Sequence, residues 1–126
     1  MFKAIGLITI LRISLSSSSA QDNELIVGGQ VKASQLTGVV TDLEGEPLEN
    51  VLVTSFDCGT GEFRGARDFK PIEKVASDDR GRFYLKWPKS HTVCLQFQSF
   101  GMNLLQIQVK KSLSGEELHP KLTPGT

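Results

Sequence analysis

The amino-acid sequence predicts an all-β chain, an antiparallel sandwich of about seven short strands. Three observations lead there. Runs rich in β-branched and aromatic residues alternate at period two. Turn signals built on Gly, Pro and Asp recur at intervals of about 8–12 residues. No apolar pattern of helical period is long enough for an ordinary helix.

The elements follow in order. Residues 1–20 read as a signal peptide: Lys3 supplies a positive start, residues 4–15 are largely apolar, and Ser18 and Ala20 fit a small-x-small cleavage site after Ala20. The stretch is short for a bilayer span and Arg12 interrupts it, so no stable membrane insertion is expected after cleavage. No Cys follows the apolar run, which argues against a lipid anchor. Residues 21–34 form a mixed N-terminal arm. Leu25, Ile26 and Val27 suit a strand, but Gly28 and Gly29 interrupt it, which predicts a loosely held leader.

A domain over residues 35–122 follows. Residues 36–42 are a β-branched strand, and Gly45 and Pro47 mark the turn after it. Residues 48–56 return as a strand with some apolar residues on both faces, which fits a strand buried in a sandwich. Residues 57–74 are irregular, with several glycines and charges of both signs. A loop of that length in a compact domain is usually functional or mobile. Residues 75–77 predict a short strand. Residues 77–81 predict a turn closed by Asp side chains, with Gly81 accepting a left-handed backbone. Strands over residues 82–87, 92–100 and 104–109 come next. In the second of these, Val93, Leu95 and Phe97 point one way and Cys94, Gln96 and Gln98 the other. Residues 114–117 predict one capped helical turn, and residues 118–122 a last strand that Pro120 confines to an edge.

The length of 126 residues suits one domain. Seven Phe, one Trp and one Tyr supply a modest core. Formal net charge is zero, without the clustered Lys and Arg of a nucleic-acid footprint. Loss of residues 1–20 removes two of the 14 basic residues and none of the 14 acidic ones, leaving a mature charge of −2. Cys58 and Cys94 stand 36 residues apart. In an oxidising compartment they can bridge, which would contribute roughly 3–4 kcal/mol. The alternative is two buried thiols acting as small hydrophobes.

Two segments then resemble a known family. Residues 36–53 (LTGVVTDLEGEPLENVLV) resemble the opening of carboxypeptidase regulatory-like domains, whose pattern is G-x-V-x-D-x-x-G-x-P-L-x-x-V-x-V. Residues 77–85 (SDDRGRFYL) resemble the family's second landmark, T-D-x-x-G-x-F-x-L. The resemblance covers roughly residues 34–110 and implies a transthyretin-like, seven-stranded Greek-key sandwich without peptidase chemistry. In that family the domain accompanies peptidases, surface proteins and outer-membrane receptors as support or contact. The roles are structural: Gly45, Pro47 and Gly81 serve turns, Val39 and Phe83 the core, and Asp42 and Asp79 loop backbone. The loop over residues 57–74 is longer and more charged than the family's usual one.

Candidate chemistry is sparse. His91 and His119 lack the spacing of a zinc peptidase, and no G-x-S-x-G is present. Alternation would aim Cys94 away from His91. The fold family includes a purine-pathway hydrolase, but its C-terminal Y-R-G-S is missing here. Asp42, Asp78 and Asp79 are candidate calcium ligands, with turn capping as the competing explanation. Met102, His91 and Cys94 are a thin copper set. Trp87 and Tyr84 are the aromatics suited to a glycan. The expectation is therefore a secreted or periplasmic, non-catalytic module of the bacterial envelope, needing no cofactor. It would bind an envelope or extracellular protein through residues 57–74, with Arg64, Arg67 and Lys70 as contact cations. A carbohydrate-binding module of the same fold is the alternative, and a small transthyretin-like hydrolase the second.

Overall fold

The computed structural model describes residues 25–58 and 70–125. These hold seven strands: β1 Leu25–Ala33, β2 Leu36–Val39, β3 Leu52–Phe56, β4 Pro71–Ala76, β5 Arg82–Leu85, β6 Thr92–Gln98 and β7 Leu104–Lys111. No helix occurs among the described residues. The fold is all-β and sandwich-like, with a five-stranded sheet of order β1-β7-β6-β3-β4 and a two-stranded sheet β2-β5.

The large sheet is mixed, not wholly antiparallel. β3, β4, β6 and β7 pair antiparallel, whereas β1 lies parallel to β7. The arm predicted as a loose leader is thus an edge strand over nine residues. Its register slips between Val27 and Gln30, where the two glycines sit. A bulge accommodates what looked like an interruption. At the other terminus, residues 118–122 run parallel to β2 through isolated bridges, Gly38 to Leu118 and Thr41 to Lys121. Pro120 has no N–H for the ladder bond between those bridges, so the segment lies on the edge without becoming a regular strand. Residues 114–117 form no helical turn; Gly115 N–H instead closes a turn onto Ser112 O at 3.1 Å.

Alternation decides what is buried. On β6 the side chains of Val93, Leu95 and Phe97 are fully buried, as are Val53 on β3 and Val109 on β7. They face Leu36, Phe83 and Leu85 of the small sheet, with Phe83 and Phe97 meeting edge to face at 5.4 Å. Leu118 and Leu122 complete this core. A separate, smaller cluster of Phe56, Cys58 and Cys94 lies apart from it. Cys94 alternates with the core residues Val93 and Leu95, which places this cluster on the opposite, outer face of the large sheet.

Candidate functional site

Two hairpin-like turns dominate one end of the molecule, and they are the same turn twice. In each, an Asp begins the turn and a Gly three residues later takes positive φ: 87° at Gly45 and 75° at Gly81. Gly45 N–H donates to Asp42 O, and Gly81 N–H to Asp78 O. Asp42 N–H donates to Glu46 O, and Asp78 N–H to Arg82 O. The side chains repeat the pattern. Asp42 Oδ1 accepts from the N–H groups of Glu44 and Glu46 at 2.9 and 3.0 Å. Asp78 Oδ1 accepts from Arg80 and Arg82 at 2.9 and 2.8 Å. The backbone N–H of Arg82, then that of Arg80, hold the Asp78 carboxyl below its ordinary value. The sequence assigns the second loop-holding role to Asp79; the structure gives it to the neighbouring Asp78, whose Oδ1 takes both backbone N–H groups.

The two turns also touch. Val40 N–H donates to Gly81 O at 2.8 Å. A Cβ on Gly81 would stand 2.6 Å from Val40 O and 2.9 Å from Pro47 Cβ. Ser77 ties the same end to β3. Its buried hydroxyl donates to Leu48 O at 2.6 Å and accepts from Val51 N–H at 2.9 Å. Its backbone bonds Asn50 N–H and Val51 O. Ser77 opens the second landmark, yet only the three-dimensional approach of residues 48–51 shows why a hydroxyl is needed there.

Two of the three calcium candidates therefore serve the backbone: Asp42 and Asp78 each commit one carboxylate oxygen to their own turn. Among the described residues no three His, Cys, Asp or Glu side chains converge as metal ligands. The copper set is dispersed, because Met102 lies beyond β6 at the turn end and His91 at the opposite end of that strand. Cys94 has no free thiol. It is bridged to Cys58, with Cα atoms 5.7 Å apart, and such a bond is compatible with an oxidising compartment.

The bridge sits beside a glutamine-rich patch on the outer face of the large sheet. Gln108 Nε2 lies 3.9 Å from Cys58 Sγ, Gln30 Nε2 donates to Gln108 Oε1 at 2.8 Å, and Gln96 Nε2 donates to Gln106 Oε1 at 3.3 Å. Gln106 is fully buried, with its Nε2 unpartnered. Cys58 thus pins the start of the charged loop to β6. Lys70, at the loop's far end, is exposed; Arg64 and Arg67 lie outside the described residues, as do residues 1–20 with the cleavage site. No helix among the described residues is long and apolar enough to cross a membrane.

The glycan candidates differ from each other. Tyr84 is exposed on β5, and Trp87 is half-buried, its indole N–H donating to Ser34 O at 2.9 Å. Lys111 Nζ stands 5.7 Å over the Trp87 ring. His119 is exposed, 3.7 Å from Glu117. No protein-family model matches the chain, and no curated protein matches it.

Proposed function

We propose that this chain is a secreted or periplasmic, non-catalytic module acting by protein contact or structural support at the cell envelope, with a transthyretin-like Greek-key topology of the carboxypeptidase regulatory-like kind. One observation carries the reading: the Asp and Ser side chains that mark the two landmarks, Asp42, Ser77 and Asp78, are spent on backbone. Asp42 and Asp78 close matching turns, and Gly45 and Gly81 serve the left-handed position in them. The disulfide supports the compartment. It also anchors at Cys58 the loop that would contact the partner, with Arg64, Arg67 and Lys70 as its cations.

The test compares the whole chain with one lacking residues 60–70. A partner captured from the native envelope fraction, then purified, should bind the whole chain and lose binding to the deletion variant. Unchanged binding to the variant ends the loop assignment. The exposed Tyr84 ring favours a second reading, carbohydrate binding. A glycan array answers it: Tyr84→Ala should abolish any signal, and no signal above background for the parent chain removes it.

A further inference from the structure

Charge is unevenly divided between the two ends of the large sheet. Gln98, Leu52 and Ala76 are in register across β6, β3 and β4. The turns after β4 and β6 therefore leave from one end, and the Val40–Gly81 bond brings the Asp42 turn there too. This turn end carries Asp42, Glu44, Glu46, Glu49, Asp78 and Asp79, against Arg80, Arg82 and Lys121. At the opposite end stand exposed Lys32, Lys89, Lys110, Lys111 and His91, with Glu116 and Glu117 further along the chain.

Each end also has an apolar feature. At the acidic end Phe100 is fully exposed at the tip of the β6–β7 turn. That turn is braced: Met102 N–H donates to Ser99 O, Gly125 N–H to Gly101 O and Asn103 N–H to Thr123 O. A single exposed apolar residue is unremarkable, but a wholly exposed Phe on a backbone held this firmly is a preformed knob. At the basic end a depression of about 270 Å³ is lined by His91, Lys111, Ser112 and the fully exposed Leu113. Its rim is fixed by Lys111 N–H to His91 O at 2.8 Å and Ser112 N–H to Ala33 O at 3.0 Å. Small-molecule sites usually enclose roughly 300–1,000 Å³. This one is at the scale of a single side chain.

We infer that the occupant of the depression is Phe100 of a second copy of this chain, docked head to tail, with the acidic turns of one copy facing the lysines of the next. Opposite charge steers the encounter, and the buried ring supplies the anchor. Knob and depression lie at opposite ends of the β6–β7 hairpin, so the contact is heterologous and propagates instead of closing as a two-fold dimer. This surface is separate from the loop after Cys58, and its failure would leave the proposed module function standing.

Sedimentation velocity on the whole chain tests it. At roughly 20 mM salt the average mass should rise with concentration past that of a dimer, and at roughly 1 M salt it should return to the monomer as charges are screened. F100S and K111E should each weaken association about tenfold or more. F100S keeps the depression and K111E keeps the knob, so an equimolar mixture should form a one-to-one complex that grows no further. L113S, a milder change to the depression, covers the case of a K111E chain that fails to fold; near-UV circular dichroism reports folding of all three. A parent chain monomeric at every concentration and salt overturns the inference. So does F100S assembling like the parent, or folded variants that do not complement.

Discussion

Gly45 and Gly81 occupy the same position of the same turn, yet they should respond differently to alanine. Both backbones are left-handed, which costs an L-residue about 1–2 kcal/mol. No atom lies within 4 Å of a Cβ added at Gly45, whereas at Gly81 it meets Val40 O and Pro47 Cβ below 3.0 Å. Crowding of that kind typically adds about 1–3 kcal/mol. Gly81→Ala should thus lower the urea midpoint clearly more than Gly45→Ala; equal midpoints would refute the contact between the turns. Asp78 gives a second prediction. Its carboxyl is held below the ordinary value by two backbone N–H groups, so the charged form stabilises the fold above about pH 4, where the unfolded chain's Asp is ionised. That contribution is lost as pH falls through the lower folded value. Asp78→Asn keeps an accepting oxygen but no charge. The gap between its unfolding midpoint and the parent's should be constant near neutrality and shrink below about pH 4. A gap that persists unchanged in acid would sink this account. The turns were legible in the sequence because Asp and Gly act locally. The contact between them was not, since Pro47 and Gly81 meet only once β2 pairs with β5, more than 40 residues later in the chain.

The elements show where local pattern misleads. Strands β5, β6 and β7 were readable because each buries alternate residues against one core. Strand β1 was hidden by Gly28 and Gly29: a bulge has the composition of a break, and the ladder that holds it belongs to β7, about 80 residues away. Strand β4 begins at Pro71, inside the segment read as loop, because it owes its pairing to β3 and carries little apolar alternation of its own. Residues 118–122 were correctly placed on an edge by Pro120, but their neighbour β2 was not foreseeable. That edge depends on Gly38, where a Cβ would overlap the carbonyl oxygen of Leu118. Backbone on both sides leaves little room to relax. Gly38→Ala should therefore part the segment from β2, breaking the bonds from Val39 N–H to Leu118 O and from Leu118 N–H to Thr37 O. Hydrogen exchange at those two amides should rise with a stability loss of about 1–3 kcal/mol. Unchanged protection of both would mean that these bonds survive a Cβ at position 38 and that the edge does not depend on Gly38.

For the whole molecule the question is how much the fold owes to its one described cross-link. The main core contains neither cysteine: it is closed by β2, β5 and residues 118–122 over the inner face of the large sheet. The bridge joins Cys58 to the outer face, with Phe56 as its apolar neighbour. Sequence could offer the pairing only as a possibility, because it rests on the chain turning back after β3 to bring Cys58 over β6. Closing a separation of 36 residues restricts the unfolded chain by about 3–4 kcal/mol. A Cys58→Ser, Cys94→Ser chain should therefore keep native near-UV and far-UV circular dichroism at moderate temperature, while its melting temperature falls by roughly 10–20 °C. The parent, unreduced, should weigh two protons less than the reduced form by mass spectrometry. Free thiols in the native protein would remove the bridge. Loss of all native signal in the double Ser variant at low temperature would show instead that the core between the sheets cannot stand without it. The expected intermediate result, folded but less stable, would assign the fold to the core and leave the bridge the narrower task of fixing where the charged loop begins.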